Sequence, residues 1–252
     1  MTEKKAASHP TSRRLPGGVL LLALCPLAQA GPPFRTDDPE PVDDGHIEAY
    51  LFTEATHVRD NTDGTLLGAE LNYGAAPDLQ LSITLPLAFD LSDDPQWHTR
   101  YGATELGAKY RFVHEQEDGW LPQISFYPAV EIPQNDQGPA STFLPLWAQK
   151  SIGRCDVFGG GGYRINPGRD RRNNQFFGIG TLCAVTPTLG LGTELYTETP
   201  DSHEGKTGTG MSLALHQDFS ERWHLVASLG RGLRNAGDTN LVSYYVGLEW
   251  TR

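Results

Sequence analysis

The sequence predicts an all-β protein, a single antiparallel up-and-down β-barrel of about 12 strands that spans a membrane. Three observations support this fold class. Apolar and polar residues alternate with a period of two in many segments, long and short connections between those segments also alternate, and the chain begins with an export signal. Because half of each strand in such a barrel faces a polar lumen, a hydrophobic content of only 38% is compatible with a membrane protein.

Residues 1–30 have the features of a cleaved signal peptide. Four basic residues come first, namely Lys4, Lys5, Arg13 and Arg14. An apolar stretch follows at residues 15–27, and Ala28-Gln29-Ala30 matches the small-residue pattern of a cleavage site. We therefore expect export from the cytoplasm and a mature chain that starts at Gly31.

Residues 31–45 are rich in proline and should have no regular structure. The prolines lack the backbone N–H that helices and sheets need, and they stand at Pro32, Pro33, Pro39 and Pro41. We expect a periplasmic N-terminal segment that is able to tuck into the mouth of the barrel. Residues 46–252 should form the barrel itself.

The clearest predicted strand lies between Asp78 and Phe89. Its alternate positions are all apolar, namely Leu79, Leu81, Ile83, Leu85, Leu87 and Phe89. A period of two predicts a strand with one apolar face. Predicted strands lie at 46–57, 65–75, 78–90, 101–114, 120–133, 142–152, 155–165, 175–186, 188–198, 207–219, 222–231 and 240–251. About ten residues of a tilted strand cross a bilayer, so these lengths suit a membrane.

The connections between the predicted strands alternate in length. Long polar links lie at 57–65, 90–100, 133–142, 166–175, 198–207 and 231–240, and most of the links between them are tight turns. Outer-membrane barrels combine long extracellular loops with short periplasmic turns. The alternation therefore predicts a location in the outer membrane of a Gram-negative bacterium.

Strand parity assigns the polar side chains to the lumen, because a charge that faces lipid near the midplane costs about 2–4 kcal/mol. The candidate lumen-lining residues are Glu48, Glu105, Lys109, Arg111, Tyr127, Glu131, Glu194, His216, Asp218 and Glu249. Two interpretations of this mixed set stay open. The charges could line a polar pore whose field selects solutes, or they could form a salt-bridge network that plugs a narrow barrel.

Cys155 and Cys183 are the two cysteines that remain after signal cleavage. Both lie 14 residues from Arg169, the centre of the loop between the predicted seventh and eighth strands. They should therefore face each other across that hairpin near its periplasmic end, in an oxidising compartment. We expect a disulfide, and a pair of free buried thiols is the alternative.

The charge balance indicates which kinds of partner the protein can bind. The chain has 31 acidic and 20 basic residues and a formal net charge of −11, so it is unsuited to nucleic acid, whose phosphates need Lys and Arg. A basic cluster lies in one predicted extracellular loop, at Arg164, Arg169, Arg171 and Arg172. Lipopolysaccharide phosphates are a candidate partner there, beside the membrane lipids, and a solvated loop is the alternative.

The sequence does not predict an enzyme. His216 with Ser212, and His224 with Ser228, are each four residues apart on predicted strands. Side chains at that spacing lie about 13 Å apart, which is too far for a catalytic dyad. No metal-ligand spacing stands out, so we expect neither a metal nor another cofactor.

The stretch Gly31-Pro32-Pro33-Phe34-Arg35-Thr36-Asp37-Asp38-Pro39-Glu40-Pro41-Val42, followed by Gly45-His46-Ile47-Glu48, resembles the start of a family of bacterial outer-membrane proteins. The family is labelled as transporters or as proteins of the meta-pathway of phenol degradation. The resemblance implies a barrel channel for passive uptake of small solutes, in particular aromatic or apolar compounds.

Two alternatives to a channel remain. The first is a structural or surface-interaction barrel with a plugged lumen, and the second, which is less favoured, is a lipid-modifying barrel enzyme. Insertion of any such barrel needs the barrel-assembly machinery as a partner. Outer-membrane barrels often end in an aromatic residue that serves this recognition, whereas this chain ends in Arg252.

Overall fold

The computed structural model describes residues 32–92, 98–116, 119–134 and 138–252, so the predicted signal peptide lies outside the described residues. Nearly all regular structure is β. The elements are β1 (Ile47–Val58), β2 (Asn61–Ala76), β3 (Leu79–Ser92), β4 (His98–Tyr101), β5 (Thr104–Val113), β6 (Gln123–Phe126), β7 (Ala129–Ile132), β8 (Ser141–Ile152), β9 (Cys155–Ile165), β10 (Asn174–Thr186), β11 (Leu189–Glu198), β12 (Gly208–Asp218), β13 (Trp223–Arg234), α1 (Ala236–Thr239) and β14 (Val242–Thr251).

The strands form one closed antiparallel barrel. Each strand pairs with its neighbours along the chain, and the first strand, β1, pairs with the last, β14, which closes the sheet. Two predicted strands are each split in two. Both β4 and β5 pair with β3, and both β6 and β7 lie between β5 and β8. Each pair of fragments makes one barrel strand, and the predicted 12-stranded barrel is confirmed.

The two breaks have local causes. Pro128 lies between β6 and β7, directly before Ala129, and has no N–H to donate to the ladder. Gly102 separates β4 from β5, and a Cβ on it would lie 2.8 Å from Cγ of Pro86 on the neighbouring strand. The chain therefore passes these two points without regular pairing.

The outer surface of the barrel is apolar. Large hydrophobic side chains point outward and are about half exposed, among them Leu81, Leu85, Ile179, Leu213 and Leu229. So much exposed apolar surface is unfavourable in water and suits the hydrocarbon of a bilayer. With its closed antiparallel sheet, the protein is a transmembrane barrel of the kind found in the bacterial outer membrane. No helix in the described part of the chain has the length and apolarity of a transmembrane span.

The two ends of the barrel differ. One end carries short turns such as Pro77-Asp78 and Gly153-Arg154, and the two ends of the barrel chain meet there through Ile47 and Arg252. We call it the periplasmic end, because periplasmic turns are short. The opposite end, the extracellular one, carries the longer links. The long link predicted at 57–65 is wrong, since β1 and β2 continue into a tight hairpin at Arg59-Asp60.

Cys155 and Cys183 lie directly opposite each other on β9 and β10, beside the Gly153-Arg154 turn. Their sulfurs form a disulfide, with the two Cα atoms 4.0 Å apart. The two cysteines are equally far from the centre of the loop that joins β9 and β10, and the register of this hairpin therefore pairs them.

Candidate functional site

Nine of the ten residues assigned to the lumen from parity lie on the inward face of their strands, and the tenth, Tyr127, lies between β6 and β7. Five of them are almost fully buried, namely Glu48, Lys109, Glu194, His216 and Glu249. The others are partly exposed towards the interior. These ten side chains are not distributed evenly over the lumen wall, because most of them contact either the N-terminal segment or one another.

The N-terminal segment runs inside the barrel. The backbone N–H of Val42 donates to Gln80 Oε1 on β3 at 2.9 Å, and Ser228 Oγ on β13 donates to the Pro33 carbonyl at 2.7 Å. Thr36 is 0% exposed and Asp38 is 2% exposed. We name residues 32–43 the lumen segment. The sequence placed this segment on the periplasmic side and at most in the barrel's mouth, whereas the structure places it across the lumen from one wall to the other.

Glu194 on β11 holds the middle of the lumen segment. Its carboxylate accepts hydrogen bonds from the backbone N–H of Arg35 at 3.1 Å and of Thr36 at 2.9 Å, and from Ser212 Oγ at 2.9 Å. The residue is 2% exposed. Because a proline-rich segment cannot join a ladder, a charged acceptor on the wall satisfies its N–H groups instead.

Lys109 on β5 is the second anchor. Its ammonium lies 3.1 Å from Asp37 Oδ1 and 3.6 Å from Asp38 Oδ1, and its side chain is only 5% exposed. It also donates to the Glu40 carbonyl at 3.4 Å. A buried ammonium needs compensation by opposite charge, and here the lumen segment supplies it.

Arg35 covers an aromatic wall. Its guanidinium lies 4.6 Å from the ring centre of Tyr196 and 5.6 Å from that of Phe176, and it bonds Glu198 at 2.5 Å. Behind it Trp147 packs edge-on against Phe176 at 6.2 Å. Trp147 is 2% exposed and belongs to the packed interior.

The lumen segment lies between two cavities of the barrel interior. The larger one has a volume of about 1520 Å³ and reaches the extracellular links, where Asp201, Lys206 and Asp238 line it. The smaller one, of about 150 Å³, is bordered by Glu48 and Gln80 towards the periplasmic end. Pro32 and Phe34 line both cavities, so the segment forms the wall between them.

The acidic groups of the lumen segment have raised pKa values. Burial raises the pKa of Asp37 and raises that of Asp38 further, although the Lys109 ammonium opposes both shifts. Burial likewise raises the pKa of Glu40 against the opposing effect of Arg111. Two aspartates that share one ammonium cannot both be fully compensated, so docking of the segment favours uptake of a proton.

Because docking of the lumen segment takes up protons, we expect the docked state to become less stable as the pH rises. A carboxyl whose docked pKa is raised stabilises docking below its ordinary pKa, near 3.8 for Asp, and loses that contribution as the pH rises through the raised value. We expect a larger single-channel current at about pH 8 than at about pH 5. The Asp38→Asn variant should show a smaller difference, and an equal difference in both proteins would contradict this explanation.

The sequence pattern did not predict a cluster of two histidines and an aspartate that the structure brings together. His216 Nε2 lies 3.1 Å and His224 Nδ1 lies 2.6 Å from the same Asp218 oxygen. The available signal was a histidine and an aspartate two residues apart, followed across a tight turn by a second histidine. Only the register, which pairs Asp218 with His224, brings the three side chains together.

The serines considered for catalysis have other partners. Ser212 donates to Glu194 and Ser228 donates to the Pro33 carbonyl, while both histidines bond Asp218. Neither His–Ser pair therefore forms a nucleophile–base contact in this arrangement.

Comparison with known proteins supports the fold. No protein-family model and no curated protein sequence matches the chain. Among solved structures, the COG4313 outer membrane channel from Pseudomonas putida F1 matches with a TM-score of 0.70 and 14% identity, over 85% of this chain and 97% of that one. The KdgM porin matches with a TM-score of 0.57 and 11% identity, over 80% and 98%. The NanC porin gives 0.56 and 10%, again over 80% and 98%.

Proposed function

We propose that this protein is an outer-membrane channel for passive passage of small solutes, narrowed by its own lumen segment. The observation that carries the proposal is the cavity of about 1520 Å³, which opens towards the extracellular links and ends at residues 32–35. The floor of this cavity is a docked segment and not the barrel wall. Undocking of that segment would join the larger cavity to the smaller one.

The charges of the larger cavity favour cations. Acidic residues outnumber basic ones along its lining, and the acidic ones are Glu54, Asp63, Glu70, Glu105, Glu131, Glu194, Glu198, Asp201 and Asp238. Rings of carboxylates select cations in other channels. We therefore expect an open lumen to prefer cations and neutral solutes over anions.

Aromatic surface lines the same cavity. Phe52 and Tyr245 stack with ring centres 5.3 Å apart, and Tyr196, whose ring the Arg35 guanidinium covers, also belongs to the lining. Such surfaces offer stacking contacts to small aromatic solutes. The resemblance of residues 31–48 to the phenol meta-pathway family supports the same solute class. The similar solved structures are an outer membrane channel and a porin, which supports passage of solutes but not a particular class of solute.

A plugged structural barrel is the second candidate. It is favoured by the burial of Thr36 and Asp38 and by the two wall anchors, Glu194 and Lys109. In that case the segment never leaves the lumen and the barrel passes no solute.

The two candidates differ in a planar-bilayer experiment on the refolded mature protein. The reversal potential under a KCl gradient gives the ion selectivity, and benzylamine added on the extracellular side tests an aromatic cation. A channel should give cation-selective steps that benzylamine reduces. The Glu105→Gln/Glu131→Gln variant should shift the reversal potential towards zero, and the exposed Glu221→Gln variant should not. Absence of current from a folded, heat-modifiable barrel would favour the plugged structural barrel.

A further inference from the structure

His216, Asp218 and His224 form a compact set of metal-ligand types at the periplasmic end of the lumen. Their ligand atoms all lie within 4.8 Å of one another. The side chains of His216 and His224 are 8% and 14% exposed, and that of Asp218 is 16% exposed. They are thus sheltered from bulk water but not sealed, as an entry path for an ion requires.

The strand register builds this set. His216 and Asp218 are two residues apart on β12 and so share the inward face, and His224 on β13 lies opposite Asp218. Neighbouring inward side chains on a sheet are held at fixed spacing, so three ligands converge without help from a loop. The remaining ring nitrogen of His224 lies 3.4 Å from Thr251 Oγ1, a partner that orients the ring.

The present distances are close to those of a metal shell. A tetrahedral ion with ligands at about 2.0–2.1 Å separates neighbouring ligand atoms by about 3.3 Å. Asp218 Oδ1 lies 3.1 Å from His216 Nε2 and 2.6 Å from His224 Nδ1. Small side-chain rotations, and neutral imidazole tautomers that carry the proton on the ring nitrogen facing away from Asp218, would make room for an ion.

A second observation also points to a cation. Glu249 on β14 lies directly opposite His224 and is 1% exposed. Within the described part of the chain, neither of its carboxylate oxygens has a hydrogen-bond donor, since the Tyr50 hydroxyl donates to Glu48 at 2.7 Å. Burial of a carboxylate without compensation is unfavourable, and a cation held by its neighbours would offset it.

We propose that His216, Asp218 and His224 bind one divalent transition-metal ion, with Glu249 beside the site as a further carboxylate. Two imidazoles and a carboxylate suit zinc and its neighbours in the first transition row better than calcium or magnesium, which prefer oxygen ligands. The ion would tie β12 to β13, next to the β14–β1 pairing that closes the barrel. The proposal does not depend on whether the lumen conducts.

The test is zinc binding by the untagged, refolded mature barrel after dialysis against a chelator. Isothermal titration with zinc chloride should give one ion per chain, and cobalt chloride should give the visible absorption of a low-symmetry site with nitrogen ligands. His216→Asn and His224→Asn should each weaken zinc binding at least tenfold, in line with the sensitivity of metal sites to their ligands. Heat-modifiable migration checks that each variant is folded.

His114→Asn is the matched control. His114 also pairs with one carboxylate, Asp78, at 3.1 Å, but no second histidine among the described residues converges there. Its loss should leave zinc binding unchanged. The proposal is overturned if the wild-type barrel binds no stoichiometric zinc and shows no cobalt absorption. It is also overturned if folded His216→Asn and His224→Asn variants bind zinc as tightly as the wild type.

Discussion

Replacement of Lys109 by methionine should release the lumen segment and increase the single-channel current several-fold. The change keeps the length of the side chain but removes the ammonium that lies 3.1 Å from Asp37 and 3.6 Å from Asp38. Removal of one partner of a buried ion pair costs about 3–5 kcal/mol, because the other charge stays buried without compensation. Since the two aspartates can take up protons, the effect should be greater at high pH than at low pH.

Lys150→Met is the control for this prediction. Lys150 on β8 forms a comparable pair with Glu115 at 2.6 Å, and its side chain is 21% exposed. The Lys150 ammonium also contacts the Gln116 carbonyl and does not touch the lumen segment. Its loss should leave the current unchanged. Equal currents from Lys109→Met and wild type, with both barrels folded, would show that the Lys109 contacts do not hold the segment.

Replacement of Glu194 by alanine should have the second large effect. The carboxylate accepts from two successive backbone N–H groups, those of Arg35 and Thr36. A hydrogen bond to a charged acceptor contributes about 1.5–3 kcal/mol, and both would be lost together. We expect faster protease cleavage within residues 32–43, measured by mass spectrometry on the folded barrel in detergent.

Glu131→Ala is the matched control here. Glu131 is also a lumen carboxylate, but its partners are Arg164 and Ser141 on the barrel wall. Cleavage of the lumen segment should therefore stay at the wild-type rate. If both variants were cleaved alike, the increase would reflect general loosening of the barrel and not loss of the Glu194 anchor.

The strands were predictable because their pattern is local. Leu81 and Leu85 face lipid and Gln80 and Ser82 face the lumen, as period two dictates. The breaks within the fourth and fifth barrel strands were not predicted, because the pattern continues on both sides of Pro128. The loop predicted around Asp63 is strand, because pairing with β1 outweighs its polar composition.

The site itself was predictable only in part. The alternation along the strands predicts that Lys109 and Glu194 face inward, but it cannot show which groups their side chains contact. Their partners Asp37 and Thr36 are separated from them by more than seventy residues along the chain, and irregular segments carry no periodicity from which a path can be read. The histidine cluster depends in the same way on the register between β12 and β13.

The most direct test of the account is the current through a refolded barrel that lacks residues 32–42, compared with the intact mature protein under the same conditions. The deletion removes the floor of the larger cavity and leaves the barrel strands, which begin at Ile47, complete. We expect long, large, cation-selective openings for the deleted form and small or brief ones for the intact protein. Equal currents from the two folded barrels, or no current from either, would contradict it.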